Sequence, residues 1–351
     1  MRANSSGCVS FNVSRNMIGS YNFSLTALED PSGRVTKCKV ETGEVVWTAL
    51  KLVNASYDKP VTGVGTPIRI QLRVLWAHNN SASVGALVGV NGTLFTAITN
   101  GTGWVNFNFT YNDINTYHFE VRAIKDSVGY VTTCIGSYSP QLTWTGLNVT
   151  ELICTKDFLN IGENATFYAK IIWAHNGSGV VGSLVNVGGS MGVTNSSGWA
   201  VVNVTKMIGG VYKIEAFPLR DSMGWVTIPL KTMSHNVTWT GLRILNVFWK
   251  PSNIINIGEN ITVYAQLAYA HNNSLIPMGV VAFNNTQLET NKTGWASCNL
   301  SYDKPTSIVI SIHGVRDSTG VITAYEDPKN YSLTWTALIL NLMPERSLVN
   351  T

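Results

Sequence analysis

The chain repeats itself, and the length of the period limits what it can fold into. Trp47-Thr48-Ala49-Leu50 recurs as Trp144-Thr145-Gly146-Leu147, Trp239-Thr240-Gly241-Leu242 and Trp335-Thr336-Ala337-Leu338, about 96 residues apart each time. Other landmarks follow in a fixed order. Trp76-Ala77-His78-Asn79 matches Trp173-Ala174-His175-Asn176 and Tyr269-Ala270-His271-Asn272. Asn100-Gly101-Thr102-Gly103-Trp104 matches Asn195-Ser196-Ser197-Gly198-Trp199 and Asn291-Lys292-Thr293-Gly294-Trp295. Asp126-Ser127-Val128-Gly129 matches Asp221-Ser222-Met223-Gly224 and Asp317-Ser318-Thr319-Gly320. Solenoid units run to roughly 20–50 residues, so this period is that of a whole module.

Asn4-Ser5-Ser6-Gly7-Cys8 and Asp30-Pro31-Ser32-Gly33 occupy the corresponding places in an incomplete copy. The expected organisation is therefore the second half of a truncated repeat at 1–46, full repeats at 47–143, 144–238 and 239–334, and the start of another at 335–351. On this reading the chain starts and stops inside repeats. An export signal, an anchor and any functional head are expected outside it.

Inside a copy the apolar period is two. Ile68, Ile70, Leu72, Val74 and Trp76 share one side, with Arg69, Gln71 and Arg73 on the other. The same alternation runs through Ala165, Phe167, Ala169, Ile171 and Trp173, and through Ile261, Val263, Ala265, Leu267 and Tyr269. Such alternation is that of a strand with one buried face. Asn-x-x-Gly and Asp-x-x-Gly put a short acceptor at turn position i and a glycine at i+3, as in a type I turn whose glycine takes a positive φ. No long helical period appears. The predicted class is all-β: tandem immunoglobulin-like β-sandwiches of about seven strands each, joined without a Pro-rich or Gly/Ser-rich linker and expected to form a stiff rod.

Two sets of tryptophans recur. Trp104, Trp199 and Trp295 follow the turn glycine and are expected to anchor the core, because one indole buries a large apolar area; the alternative is a row of sugar-stacking platforms. Trp47, Trp144, Trp239 and Trp335 stand at the junctions between copies. They are expected to pack the end of one sandwich against the next.

Catalytic chemistry has little to stand on. No GxSxG, HExxH or P-loop pattern is present. His78, His175 and His271 recur singly, as turn residues or as ligand contacts. Asp30, Asp126, Asp221 and Asp317 fit turn capping better than calcium, which needs six to eight oxygens; Glu163 and Glu259 are replaced by Thr66 in the first copy. None of Cys8, Cys38, Cys134, Cys154 and Cys298 shows CxxC spacing. Cys8 with Cys38, or Cys134 with Cys154, are possible pairs in an oxidising compartment; otherwise the cysteines are small buried hydrophobes. No metal or cofactor is expected. The net charge of +4 comes with no basic cluster, which argues against nucleic acid. No apolar run approaches the roughly 20 residues of a membrane span.

Charged residues make up 13% of the chain, about half the globular norm. Asn-x-Ser/Thr, the N-glycan acceptor sequon, occurs roughly twenty times, for example at Asn54, Asn91, Asn108, Asn148, Asn164, Asn203, Asn236, Asn260, Asn299 and Asn330. Glycans would keep so uncharged a surface soluble; the bland alternative is that Asn, Ser and Thr are simply common in turns.

The strand after Gly162-Glu163-Asn164 and Gly258-Glu259-Asn260, the Thr-Asn-x-x-Gly-Trp-Ala turn and the Asp-Ser-x-Gly hairpin together resemble the bacterial and archaeal Ig-like repeats of cell-surface proteins, the group that includes invasin-type Big domains. The Pro-Val-x-Gly stretch of that group is degraded here to Ser83-Val84-Gly85, Val180-Val181-Gly182 and Pro277-Met278-Gly279. The Trp-Thr junction and the Ala-His-Asn turn suggest an archaeal subtype. The resemblance implies an extracellular location and a non-catalytic stalk or spacer in a glycosylated surface protein. Its partners would be neighbouring repeats, with cell-envelope proteins or glycans as further candidates. The alternatives are adhesin or carbohydrate-binding repeats acting through exposed loops, or the accessory region of a larger extracellular enzyme.

Overall fold

A computed structural model describes residues 2–25, 29–34 and 41–340. Cys38, and with it the Cys8–Cys38 pairing, lies outside the described residues, as does most of 335–351. Within them the regular elements are strands, and the chain is a tandem of Ig-like β-sandwiches.

The second sandwich shows the plan. Its five-stranded sheet runs in the order Phe158–Asn160, Met233–Thr240, Gly210–Arg220, Leu184–Val187, Ser190–Val193. Its four-stranded sheet runs Trp199–Thr205, Asn164–Trp173, Leu147–Cys154, Pro229–Lys231. Two of the nine strands, Phe158–Asn160 and Pro229–Lys231, are three-residue edge pieces, which leaves seven principal strands. Phe158–Asn160 pairs in parallel with Met233–Thr240, so the first strand of the sandwich begins in one sheet and continues in the other. The third sandwich repeats this plan with Ile254–Asn256 parallel to Lys329–Thr336. In the first, Val61–Gly63 is parallel to Gln141–Thr145.

The period-two positions fill the interior. Ile68, Ile70, Leu72 and Val74, then Ala165, Phe167, Ala169 and Ile171, then Ile261, Val263, Ala265 and Leu267 are all buried. The terminal residue of each series, Trp76, Trp173 or Tyr269, is half-buried at the end of the sandwich.

The tryptophans exchange the places expected of them. Trp144, Trp239 and Trp335 are fully buried. Each sits on the last long strand of its own sandwich and plugs that sandwich's interior instead of packing between modules. Their Nε1 atoms donate to the carbonyls of Thr66, Glu163 and Glu259 at 2.8, 2.9 and 2.9 Å. These three acceptors are equivalent turn positions. What the position must supply is a backbone carbonyl, which threonine provides as well as glutamate does. Trp47 is half-buried against Tyr21 and Phe23. By contrast Trp104, Trp199 and Trp295 are half-buried on the outward side of their strands and do not anchor the core. Alternation is the reason: each directly precedes a buried Val105, Ala200 or Ala296 and so faces the other way. Lys170 lies over the Trp199 ring at 5.3 Å, and Phe248 meets Trp295 edge-on at 5.0 Å.

The turn chemistry takes the expected form. Oδ1 of Asn100, Asn195 and Asn291 accepts the N–H groups of residues i+2 and i+4 at 2.9–3.0 Å. The glycine of each turn has φ between 74° and 84°. A Cβ on Gly198 would sit 2.5 Å from the Ile171 carbonyl oxygen, so the close approach of the two strands also requires glycine there. One residue ahead of each turn stands a buried threonine, the first residue of the Thr-Asn-x-x-Gly stretch. Thr99, Thr194 and Thr290 donate to the carbonyls of Ser83, Val180 and Ile276 and accept from the N–H groups of Ala86, Ser183 and Gly279.

Asp126 is buried and accepts from Val131, Gly129 and Val128 N–H groups. Burial alone would raise its pKa, but these backbone donors outweigh that and hold the carboxyl below its ordinary range. A carboxyl depressed in the folded state contributes stability above its unfolded pKa, near 4, and loses it as pH falls through the folded value. Asp126→Asn should therefore cost about 1–2 kcal/mol at pH 7. That deficit should shrink steadily below pH 4 in urea titrations, and a deficit equal at pH 7 and pH 2.5 would contradict the assignment.

Candidate functional site

The chain divides into two compact units. One holds Met1–Gly146 with Trp173–Gly177 and Met223–Ile228; the other holds Leu147–Ile172, Ser178–Ser222 and Pro229–Thr351. The first unit thus takes in two loops from the second repeat, the Ala-His-Asn turn and the segment after Asp-Ser-Met. Both loops contribute to a joint between modules.

The joint starts from the junction threonine. Thr48, Thr145 and Thr240 follow Trp47, Trp144 and Trp239, and two residues further on Leu50, Leu147 and Leu242 open the first strand of the following sandwich. His78 Nδ1 lies 2.9 Å from Thr48 Oγ1, His175 Nδ1 lies 3.0 Å from Thr145 Oγ1, and His271 Nδ1 lies 2.9 Å from Thr240 Oγ1. Beside each contact a main-chain bond repeats: Ala77, Ala174 and Ala270 N–H donate to the carbonyls of Ala49, Gly146 and Gly241 at 2.9–3.0 Å. The imidazoles also meet the aromatic residue that ends the long strand, with ring centres 6.3, 5.9 and 5.8 Å apart for Trp76–His78, Trp173–His175 and Tyr269–His271. Burial pushes the pKa of His175 and His271 down, which favours the neutral ring. The histidines lie in turns, as expected, and each in addition bonds a junction threonine. Each fastens the turn of one module to the last residue of the module before it. The constant separation of 30 or 31 residues between threonine and histidine was the available signal.

In the second unit the joint has further grips. Asn160 Oδ1 accepts the N–H groups of Thr323 and Ala324 at 2.7 and 2.8 Å, and its Nδ2 donates to the Val321 carbonyl at 2.9 Å. Phe158 packs edge-on against Tyr269 and His271, at 5.5 and 6.0 Å. In the first unit the equivalent of Asn160 is Gly63, and a Cβ there would lie 3.0 Å from Ile228 Cδ1. Thr62 Oγ1 reaches the Trp225 carbonyl at 3.5 Å. A side chain from the following module fills the space in one case and a side chain from the preceding module fills it in the other.

The remaining candidates serve local structure. The Glu163 carboxylate is held below its ordinary pKa, chiefly by Lys156 at 2.6 Å, and accepts from Asn160. Glu259 accepts from Asn256 in the same way. Asp317 accepts from Ile322 N–H and from Tyr269 Oη, and the neighbouring carboxylate and burial drive the Tyr269 phenol up to about 12, burial being the larger cause. Among the described residues no three His, Cys, Asp or Glu side chains gather to hold a metal. Cys134 and Cys154 are free thiols, each donating to a carbonyl two residues on. Cys298 is free and buried, and Cys8 is free and exposed. Shallow clefts of about 300 and 360 Å³ lie beside Tyr212 and beside Cys134. Of the ten sequon asparagines named above, nine are exposed and Asn148 is half-buried.

No family model matches the chain, and no curated protein matches it. Among solved structures it is similar to the bacterial integrin-binding protein invasin (12% identity, 81% of this chain and 60% of that chain, TM-score 0.29). It is also similar to the Escherichia coli adhesin FdeC (12% identity, 83% and 97%, TM-score 0.28). A third is a tetra-tandem repeat from the extending region of a large adhesion protein (10% identity, 92% and 82%, TM-score 0.29). The chain spans about three fifths of the invasin chain.

Proposed function

We propose that this chain is a spacer segment of a secreted, N-glycosylated cell-surface protein, a series of Ig-like modules fastened end to end that hold another part of the protein away from the cell envelope. The observation that carries the reading is the joint. The same threonine and histidine recur at three successive junctions, within the repeated Trp-Thr-Ala/Gly-Leu and Ala-His-Asn stretches, and a recurring fastening is what a spacer needs. The exposed sequons and the scarcity of charge fit a surface covered by sugar instead of ions.

Small-angle scattering of the chain should give an extended particle with a narrow distance distribution. The His78→Ala/His175→Ala/His271→Ala variant should give a broader distribution at unchanged module stability. A compact particle, or a triple variant indistinguishable from wild type, rejects the spacer. An intact mass for native material equal to that of the bare polypeptide rejects the glycan coat.

A further inference from the structure

We propose that Asn108, Asn203 and Asn299 form a periodic set of N-glycan sites, one per sandwich, whose glycans guard the unpaired edge of the strand that carries them; the inference rests on the surface-glycoprotein reading above. The three residues are equivalent, each four positions after the turn tryptophan on Trp104–Phe109, Trp199–Thr205 and Trp295–Ser301. Each of these strands is the last in its sheet and has one hydrogen-bonded strand neighbour among the described residues; on the other side Phe95–Ile98, Ser190–Val193 or Thr286–Glu289 comes near without ladder hydrogen bonds, which leaves the edge groups unpaired. The pairing with that neighbour is regular, without a bulge.

An unpaired edge of this kind is a template for strand addition by another chain, and proteins blunt such edges with charge, proline, a bulge or shortness. The other edges of the three sandwiches use those devices, whereas Gly19–Leu25, the edge of the two-stranded sheet ahead of them, does not. Phe95–Ile98, Ser190–Val193 and Thr286–Glu289 have four residues each, Val61–Gly63, Phe158–Asn160 and Ile254–Asn256 three. Pro229–Lys231 carries both a proline and a lysine. Leu242–Lys250 is long, but it carries Arg243 and Lys250 and has a register shift between Ile244 and Asn246. The three strands in question have six, seven and seven residues, no charged residue, no proline and no bulge. What they do have is a sequon: Asn108-Phe109-Thr110, Asn203-Val204-Thr205 and Asn299-Leu300-Ser301.

Asparagine is a poor strand residue, so its retention mid-strand in every copy calls for a cause. Turn capping accounts for Asn100, Asn195 and Asn291 but not for these. Cross-strand bonding does not account for all three. Thr166 and Thr262 donate to Asn203 and Asn299 Oδ1 at 2.9 and 2.7 Å, whereas the residue opposite Asn108 is Arg69. The asparagines and the hydroxyl residues two positions on are exposed. In the modification an oligosaccharyltransferase joins asparagine Nδ2 to the anomeric carbon of a polyprenyl-diphosphate-linked oligosaccharide. The new N–C bond replaces the anomeric C–O bond, the lipid diphosphate leaves, and the amide gives up one proton.

The test is to secrete the full chain from a host with N-glycosylation and to map occupancy by peptide mass spectrometry. All three sites should be occupied. Asn108→Gln/Asn203→Gln/Asn299→Gln should lose three glycans and shift from monomer to oligomers in light scattering. Asn236→Gln/Asn330→Gln should stay monomeric. Asn108→Lys/Asn203→Lys/Asn299→Lys, which restores charge to the edge without sugar, should be monomeric too. Occupancy elsewhere but not at these three, or a monomeric triple glutamine variant, overturns the inference and leaves the surface-glycoprotein reading standing. No glycan at any sequon overturns both.

Discussion

Trp239→Ala should destabilise the second sandwich by about 4 kcal/mol, whereas Trp199→Ala should cost about 1 kcal/mol. Trp239 is fully buried, meets Tyr212 edge-on at 5.7 Å and satisfies the Glu163 carbonyl through Nε1. Truncating it opens a cavity at the end of the sandwich and leaves a buried acceptor without its donor, two penalties that add. Trp199 gives up packing on an outward face and the cation above its ring, in a place water reaches. Because a multi-module chain need not unfold in one step, the measurement should be local. Hydrogen exchange of amides between 147 and 240 under rising urea isolates this sandwich. Equal losses for the two variants would show that the burial pattern is wrongly assigned.

Asn160→Ala should loosen the joint between the second and third modules by about 2 kcal/mol, with each module's own core intact. Three hydrogen bonds to the main chain at 321–324 are lost together. Each such bond is worth about 1 kcal/mol net, reduced here because Thr323 is exposed. Calorimetry of the chain should resolve a transition in the variant that is merged in wild type, since weaker coupling lets neighbours melt independently. Adding His271→Ala should lower the coupling further. A variant that melts as wild type does would mean the contacts at this joint carry no coupling.

The sheets were readable because period-two burial and turn chemistry are local. Ile68 to Val74 announce a strand with one buried side, and Asn195 with Gly198 announces the hairpin that follows. The same alternation, carried one residue further, places Trp199 outward. The expectation that a recurrent tryptophan must be internal set mere recurrence against the pleat, and the pleat prevails. The joint was half readable. The threonine and the histidine each recur visibly, but that they meet depends on the first strand of a module bringing the two loops together across the junction. Asn160 recurs as Asn256 in the third repeat, but its equivalent in the first is Gly63, so recurrence alone does not mark it as a joint residue. The pairing of Asn160 with Ala324, and of Gly63 with Ile228, is a relation between volumes on different modules, and no single repeat records it.

That exchange of volumes gives the array a direction and an order. A bulky residue below meets a small one above at one junction, and the reverse holds at the other. Were the second and third modules transposed, Gly63 would face Ala324 across a void, and Asn256, the counterpart of Asn160, would press on Ile228. Modules with a common ancestor have thus become fitted to particular neighbours, and shuffling them by recombination would break the seams before it harmed any core.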